Sequence, residues 1–529
     1  MHAALRQQDV LRLILSFFDN PRWQSTDVGD LANCSRTTRE PPDRRNTLLS
    51  CVLTCRTFKD PSLDILWKQI HSPFPMLRLL SNFRQLDGKF VLRGQISTEE
   101  LQRFEWYAGR VRLFQCAATD LQNMDQFVFH RLSVLLGTPI FPGLRALSWE
   151  LGAPVVLPAP FIASTLESVS IYLQSSTEAS PLSLQLDAHA LISGTEVILD
   201  SLAASSPALK GLHFYGLRAE LPIVDATPFK SLQSFSAFKH PRADVAVCSS
   251  ELLSSLGALN ELAHICVHTS RLSFRDTVLA PFRCLAAIGL CGVPRDLARI
   301  LAALQNSSID WINLTIDTPD NSMESMFCNA AFPRLVEFEV GPNRKTQIPP
   351  SVDTLLEGRR LLLPFTKCKV LETFNVKLKG FIVSITDDEV WAVAQAWPRI
   401  REFTWLCKGA PSTPTIGSLA AFATSCLKLT TLALPLNLNV QVTRAPLISV
   451  HRLKRLTAYG RWEPISMLRA AELLVTMFPY LETVEVAEDE DNEQRIDRTL
   501  NETIRMLQRM KTVFARQNLM SSRPAAANT

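Results

Sequence analysis

The sequence lacks a long apolar run, a polybasic segment and a CxxC cysteine pair. No stretch approaches the about 20 apolar residues that cross a bilayer, and Asp9 and Arg12 interrupt the N-terminal apolar residues before a signal peptide could form. We therefore expect no membrane partner and a cytoplasmic or nuclear location, or both. The 12 cysteines form no CxxC pair and most lie in apolar contexts, which indicates reduced, buried thiols that pack as small hydrophobic residues.

Motifs of catalysis and cofactor binding are also missing. The sequence contains no GxxxxGK loop, no GxGxxG turn, no GxSxG nucleophile and no HExxH zinc motif. Only His264, Cys266 and His268 suggest a metal site. On a strand these three would spread over about 13 Å, whereas zinc ligands must converge to about 2 Å from one point. We expect no enzyme activity, no cofactor and no metal.

The remaining composition is typical of a folded protein. Hydrophobic residues make up 47% and charged residues 20% of the 529 residues, enough to build a large core. The formal net charge is only +4, which does not favour nucleic acid as a partner.

A six-residue template recurs through most of the chain. Its positions are a Leu or Ile anchor, two variable residues, an apolar residue, one variable residue and a second apolar residue, as in 335–340, LVEFEV. Most anchors follow one another by about 22 to 29 residues, the period of leucine-rich repeats. The anchors stand at 144, 166, 209, 232, 259, 285, 309, 335, 371, 400, 429, 453 and 481, and the long step after 166 suggests a degenerate repeat near Leu184 and Leu186.

The template predicts one strand and one helix in each repeat. Alternation over its last four positions is typical of a half-buried strand. Apolar residues at helical spacing follow at 296–304, 387–396, 416–424 and 467–477, and prolines such as Pro398 separate several helices from the next strand. We predict a curved α/β solenoid over residues 136–487, with the strands on its concave wall and a helical linker with degenerate repeats over 71–135. A doubly wound α/β domain is the alternative, although ordinary sheets need no shared template.

Three short helices are predicted ahead of the repeats, in residues 1–70, with a disordered loop over about 20–46. The segments 9–18, DVLRLILSFF, 55–58, CRTF, and 66–67, LW, resemble the helices of an F-box. With the repeats behind them, the whole chain resembles the F-box/leucine-rich-repeat-like proteins of fungal type. The sequence departs from that family in having Gln7-Gln8 where a proline usually precedes the acidic residue, and in its longer loop.

The resemblance implies a substrate-recognition subunit of a cullin–RING (SCF-type) ubiquitin ligase. The F-box would dock the adaptor subunit, and through it cullin, while the repeats would bind a protein substrate. A non-ligase scaffold whose helices only cap the solenoid is the alternative. The residues expected to bind the adaptor are Asp9, Val10, Leu11, Ile14, Leu15, Leu53, Phe58, Leu66 and Trp67.

Positions three and five of the template should point away from the core and line the concave wall. In the early repeats these positions are small, as in Ser168 and Ser170. In the later repeats they become acidic, which suggests a substrate with a basic segment; solvated strand residues without a ligand are the alternative. The acidic candidates are Glu337, Glu339, Glu402 and Glu485.

The C-terminal residues 488–529 should form an acidic loop, a capping helix and a flexible tail. The acidic run is 488–491, EDED, and helical spacing follows at Ile496, Leu500, Ile504, Leu507 and Phe514. A helix here would cover the exposed end of the repeat core. A basic amphipathic helix that binds a calmodulin-like partner is the alternative.

Overall fold

A computed structural model describes most of the chain. The described residues are 8–18, 42–152, 156–173, 181–218, 220–223, 225–239, 247–269, 282–305, 307–317, 322–342, 355–409, 413–437, 451–459, 467–487 and 499–510. Most of the predicted N-terminal loop, the acidic run 488–491 and the predicted tail, with Ile496 and Phe514, lie outside them.

The chain divides into two compact units. Unit 1 comprises Met1–His268 and Ser273–Ala280, and unit 2 comprises Thr269–Leu272 and Pro281–Thr529. Each unit has parallel strands that pair in chain order, with helices in the connections between them. The predicted mixed α/β architecture of leucine-rich-repeat type is therefore confirmed in each unit.

Among its described residues, unit 1 has three helices ahead of a parallel sheet. The helices are α1 (Gln8–Ser16), α2 (Pro42–Thr54) and α3 (Arg56–Lys68). The parallel strands, in order of pairing, are β1 (Gln69–Ile70), β4 (Leu113–Cys116), β5 (Ala146–Leu151), β6 (Ser168–Leu173), β7 (Gly211–Leu217), β8 (Ser234–Lys239) and β9 (His264–His268). The other elements are α4 (Phe74–Leu77), the antiparallel pair β2 (Phe83–Leu86) and β3 (Lys89–Leu92), α5 (Thr98–Ala108), α6 (Ala118–Leu121), α7 (Phe127–Leu136), α8 (Pro181–Ser205) and α9 (Ser250–Gly257).

Unit 2 repeats the same plan. Its parallel strands, in order of pairing, are β10 (Ala287–Gly292), β11 (Trp311–Ile316), β12 (Glu337–Pro342), β14 (Thr373–Ser384), β15 (Glu402–Gly409), β16 (Thr431–Pro435), β17 (Arg455–Tyr459) and β18 (Thr483–Ala487), and β13 (Leu355–Glu357) pairs with the end of β14. Its helices are α10 (Pro294–Ala303), α11 (Met323–Asn329), α12 (Gly358–Leu362), α13 (Asp387–Ala396), α14 (Leu419–Ser425), α15 (Met467–Met477) and α16 (499–510).

The template fixes the register of the strands. Equivalent positions stand directly opposite one another in neighbouring strands, as position three does in Ala146, Ser168 and Gly211. Positions four and six are buried on the helix side of the sheet, where Phe327 of α11 meets Phe338 of β12 edge-on, with ring centroids 5.8 Å apart. Positions three and five therefore lie on the opposite side, which we call the open face.

Local sequence explains where several helices begin. Ser97 and Glu100 form a capping box at the start of α5, and Thr386 and Glu389 form another at the start of α13. Each box satisfies backbone N–H groups that have no partner inside the helix. The predicted helix 387–396 is confirmed at both ends, and Pro294 opens α10, where its missing N–H costs no helical bond.

Nearly all predicted anchors stand two residues before a strand, and the exception has a physical cause. The anchor of β9 is Leu262, not the predicted Leu259. Leu256 near the end of α9, Leu259 and Leu262 are each three residues apart, so their spacing does not distinguish the anchor from the leucines before it. A strand that begins two residues after Val111 was not predicted, because valine replaces the leucine anchor there.

Three further segments differ from the sequence-based expectation. The degenerate repeat near Leu184 and Leu186 is instead part of the 25-residue helix α8. The segment 71–135 contains the β2–β3 hairpin as well as helices, and its turn uses left-handed backbone at Asp87 and Gly88 (φ 49° and 79°). Helix α2 begins at Pro42, inside the predicted loop, because proline at the first helical turn costs no hydrogen bond. Among the described residues, no helix is long and apolar enough to cross a membrane.

The last described helix contacts the end of unit 2, where β18 pairs with a single strand among those that the structure describes. Leu500 and Ile504 of α16 are buried. The side-chain amide of Asn501 donates to the carbonyl oxygen of Val484 (2.6 Å) and accepts from its N–H (2.8 Å). One side chain thereby satisfies two backbone groups of a strand at the sheet edge, which limits pairing with other chains.

Candidate interaction surfaces

The first two helices expose large apolar side chains. Leu13 on α1 and Phe17, in the turn directly after α1, are 67% and 86% exposed, and Leu53 on α2 is 85% exposed. Ile14 and Leu49 are exposed to a smaller degree. Because water is unfavourable for such groups, neighbouring exposed apolar side chains such as Leu13 and Phe17 are typical of surfaces that contact a partner.

Helix α1 is apolar on two sides. Leu11 and Leu15 are buried, while Leu13 lies on the opposite side of the helix, two residues from each of them, because each residue turns the helix by about 100°. Leu11 and Leu15 therefore hold α1 to the rest of unit 1. Both were expected to bind the adaptor, and both are buried in this structure.

The other predicted adaptor-binding residues divide into two groups. Asp9, Ile14 and Leu53 are exposed. Val10, Phe58, Leu66 and Trp67 are half-buried. The Trp67 ring lies 4.7 Å from that of Tyr107, so its packing is at least partly internal.

The third helix is tied to the first repeats by Arg110. Its guanidinium pairs with Asp60 (3.0 Å) and Asp64 of α3, and lies over the ring of Trp106 at 4.0 Å from the centroid. The backbone N–H of Arg112 also donates to the carbonyl oxygen of Lys68 (2.9 Å), and β1 pairs with β4. The helices α1–α3 thus belong to the same body as the first strands.

The open face of unit 2 carries a cluster of acidic side chains around β12. Glu339 accepts hydrogen bonds from the amide groups of Asn313 on β11 (2.9 Å) and Asn375 on β14 (3.3 Å). These three residues occupy position five of adjacent repeats, so the register places them side by side. The two asparagines fix the orientation of the Glu339 carboxylate.

Glu337 has no cation partner among the described residues. Burial, and after it the neighbouring charges of Glu339, Asp310, Glu372 and Glu402, raise the pKa of the Glu337 carboxyl group above its ordinary value. Repulsion between carboxylates shows that the local potential is negative. Asp310 was missed at the sequence level because it occupies position two, which was not considered part of the wall.

The other two acidic candidates lie further along the sheet of unit 2. Glu402 stands opposite Thr373 and Thr431, and Glu485 is exposed and accepts from the hydroxyl of Thr457 (3.4 Å). Arg455 lies between Thr431 and Thr483 in the same row. The acidic candidates therefore share one face, but only Glu337, Glu339 and Glu402 form a local cluster.

The open face of unit 1 carries small and aromatic side chains instead. Ser168, Gly211 and Ser234 align in one row, while Tyr172, Tyr215 and Phe238 align in another. The three aromatic rings are stacked, with centroid distances of 4.7 and 5.5 Å and interplanar angles of 14° and 9°.

A buried histidine lies between these two rows. Burial lowers the pKa of His213 to about 4, so its imidazole is neutral at physiological pH. Its Nδ1 and the hydroxyl groups of Ser234 and Ser236 are buried without a hydrogen-bond partner in the described structure. A Cβ at Gly211 would lie 3.0 Å from His213 Nε2, which explains why glycine occupies this position.

The three candidate metal ligands of β9 do not converge in this structure. His264 is exposed while Cys266 and His268 are buried, and the ligand atoms of these three residues do not come within reach of one ion. Burial raises the pKa of the Cys426 thiol to about 12, far from a reactive thiolate. Cys284 and Cys328 are exposed, contrary to the expectation that the thiols are buried.

Sequence reasoning missed Leu13, Phe17 and Leu49 on the N-terminal helices. The apolar stripe of α1 was interpreted as a single face, so residues between its members were not considered. Counting apolar residues around the whole helix would have found them, because residues 10–18 contain only two polar side chains, Arg12 and Ser16.

Comparisons with known proteins report distant structural likeness only. No protein-family model and no curated protein matches this sequence. Among solved structures, a leucine-rich-repeat protein of Leptospira interrogans is 13% identical with a TM-score of 0.32, over 74% of this chain and 98% of that chain. The Drosophila Toll–Spätzle complex is 12% identical with a TM-score of 0.35 (74% and 54%), and the TLR13–ssRNA13 complex is 10% identical with a TM-score of 0.27 (67% and 58%). Because these TM-scores are low, the repeat fold rests on the strand order and register described above.

Proposed function

We propose that this chain is a substrate-recognition subunit of a cullin–RING ubiquitin ligase. In this proposal α1 and α2 bind the ligase adaptor, and through it cullin, while the open faces of the repeats bind a protein substrate. The observation that supports it most is the exposure of Leu13 and Phe17 in the segment 9–18, which resembles an F-box helix, and of Leu53 on α2.

The energetics of these side chains favour a protein partner. Burying one large apolar side chain contributes about 1.5–3 kcal/mol. Leu13, Phe17 and Leu53 together could therefore supply much of the binding free energy of an interface centred on a few anchoring residues. Leu11 and Leu15 hold α1 in place, so this surface is preformed.

The substrate in this proposal carries a basic segment. The carboxylates of Glu337, Glu339 and Glu402 on the open face of unit 2 would attract lysine and arginine side chains. Such complementarity increases association rate and specificity more than it increases affinity. Glu339 needs no reorientation, because Asn313 and Asn375 already hold it.

A scaffold without ligase activity is the second candidate. The observation that favours it is the attachment of α3 to the sheet through Arg110, Trp67 and the β1–β4 pairing. In that case the N-terminal helices serve to close the edge of the unit 1 sheet.

A direct binding measurement separates the two candidates. The purified chain is titrated with the adaptor subunit by isothermal calorimetry, and a Phe17→Glu/Leu53→Glu double variant is compared with it. We expect the double variant to weaken adaptor binding at least about 100-fold, because each burial of an unpaired charge costs several kcal/mol. Leu15 is not used, because it is buried and its replacement would disturb folding.

The matched control is Leu427→Glu, which places a charge on a leucine of unit 2 that is 64% exposed. It should bind adaptor like the unchanged chain, and all variants should melt at the same temperature. If the unchanged chain does not bind the adaptor, the ligase proposal fails and the scaffold takes its place.

A further inference from the structure

An open cleft of about 770 Å³ lies at the C-terminal end of unit 2. The turn before β18 and the second half of α16 form its sides, together with residues that precede β17. The lining side chains that matter here are Arg452, Lys454, Tyr480, Glu482, Arg505 and Gln508.

The wall of this cleft is held in place by Gln508. Its side-chain amide donates to the carbonyl oxygens of Pro479 (3.1 Å) and Leu481 (2.9 Å), which fixes α16 to the turn. One turn of helix earlier, the buried side chain of Ile504 packs toward the unit. Helix and turn are therefore joined independently of any ligand, and the cleft is preorganised.

The charges in the cleft do not balance. Lys454 pairs with Glu482 (3.2 Å), whereas Arg452 and Arg505 have no carboxylate partner among the described residues. The lining thus carries two positive charges in excess. Unpaired guanidinium groups recognise phosphoryl and carboxylate groups well, because their planar donors match these oxygens in pairs.

An aromatic side chain lies beside these cations. The ring of Tyr480 is 61% exposed at the cleft, although a tyrosine usually buries much of its ring. An exposed ring next to arginines can pack against the backbone or an apolar side chain that flanks a bound anion.

We propose that this cleft binds an anionic segment of a protein partner, through a phosphoryl or carboxylate group held by Arg452 and Arg505. Tyr480 contacts the residue beside the anion, and Lys454 adds positive potential although Glu482 partly neutralises it. This site differs in sign from the acidic cluster on the open face of the same unit. It requires no adaptor, so it stands whether the ligase or the scaffold candidate is correct.

Fluorescence anisotropy with three labelled peptides of otherwise identical sequence tests the proposal. Their central residue is phosphoserine, a run of three glutamates or serine. The full chain should bind the phosphoserine or triglutamate peptide at least about tenfold more tightly than the serine peptide at 50 mM salt, and the difference should shrink at 300 mM salt. A preference for phosphoserine over triglutamate identifies a phosphorylated segment, and equal binding identifies acidic segments in general.

Two variants locate the binding. Arg452→Gln/Arg505→Gln should remove the tenfold preference, whereas Arg299→Gln, an exposed arginine of α10, should leave it unchanged. Glu482→Gln should strengthen binding of the anionic peptides, a gain that misfolding cannot imitate. Equal binding of all three peptides, or a preference that survives Arg452→Gln/Arg505→Gln, would overturn the proposal.

Discussion

The open faces of the two units share one strand template but differ in chemistry. In unit 1 positions three and five carry serine, glycine and a neutral histidine, and a row of stacked aromatic rings follows them. In unit 2 the same positions carry Glu337, Glu339 and Glu402. The interiors do not differ in this way, because positions four and six are apolar and buried in both units. The fold thus constrains one face of each strand and leaves the chemistry of the other free to vary.

The largest effect should come from changing the face that the two units share. Phe235 in unit 1 and Phe338 in unit 2 both occupy position four and are almost fully buried. We expect Phe235→Ala and Phe338→Ala each to lower the free energy of unfolding by about 3–5 kcal/mol, because each leaves a cavity in the core. Chemical denaturation followed by tryptophan fluorescence measures the loss, and hydrogen exchange assigns it to a unit.

Substitutions on the open face provide the control for this comparison. Ser148→Ala in unit 1 and Thr483→Ala in unit 2 should each change stability by less than about 0.5 kcal/mol. If either control lowers the free energy of unfolding as much as the phenylalanine substitutions do, the open face is part of the core and the division into two faces is wrong.

This division also explains what the sequence could predict. Apolar anchors repeat because every repeat must bury them, so leucine spacing alone located nearly all strands. Leu259 was wrongly chosen over Leu262 because helix and anchor leucines share a three-residue spacing there. A degenerate repeat was suggested near Leu184 and Leu186 of α8 because these leucines alternate as in a strand. Periodicity over so few residues does not distinguish the two structures.

The candidate surfaces were less predictable than the fold. The acidic candidates could be identified from the sequence, because each of them occupies position three or five of the template. Their organisation could not, since Asn313 and Asn375 lie 26 and 36 residues from Glu339 and meet it only through the register of three strands. The cleft beside Tyr480 depends on where α16 lies against the last repeat, which no local pattern encodes.

Acidification should distinguish the units through His213. Its folded pKa of about 4 lies below its ordinary value of 6.5, because burial disfavours the charged form. The unfolded chain therefore takes up a proton more readily, and about 3 kcal/mol of stability present above pH 6.5 is lost as the pH falls to about 4. Denaturation of the chain and of a His213→Gln variant between pH 7 and pH 4 measures this difference.

A second histidine and a carboxylate sharpen this test. His130→Gln, which replaces an exposed histidine of unit 1, should follow the unchanged chain at every pH. Acidification has the opposite effect on stability at Glu337 in unit 2, because the raised pKa of this carboxyl group means that the folded state takes up a proton more readily. Protonation of Glu337 should therefore relieve its repulsion with the neighbouring carboxylates in unit 2. Parallel pH curves for His213→Gln and the unchanged chain would show that this histidine is not the buried base described here.

The smallest expected effect concerns binding to the open face of unit 2. A labelled peptide of alternating lysine and glycine should bind the chain, and Glu337→Gln/Glu402→Gln should weaken that binding about tenfold, because two carboxylates of the cluster become neutral. Glu472→Gln, which replaces an exposed glutamate on α15, is the matched control and should leave the peptide affinity unchanged.

The same binding should also depend on pH. Since the pKa of Glu337 is raised, its carboxylate takes up a proton at a higher pH than an ordinary glutamate, so binding should begin to weaken at a higher pH than it would with ordinary glutamates. Anisotropy measured at several pH values and salt concentrations tests both statements. The contrary result is a peptide affinity that stays the same at every salt concentration and pH and in the double variant. That result would show that the chemical difference between the two open faces does not extend to binding basic segments.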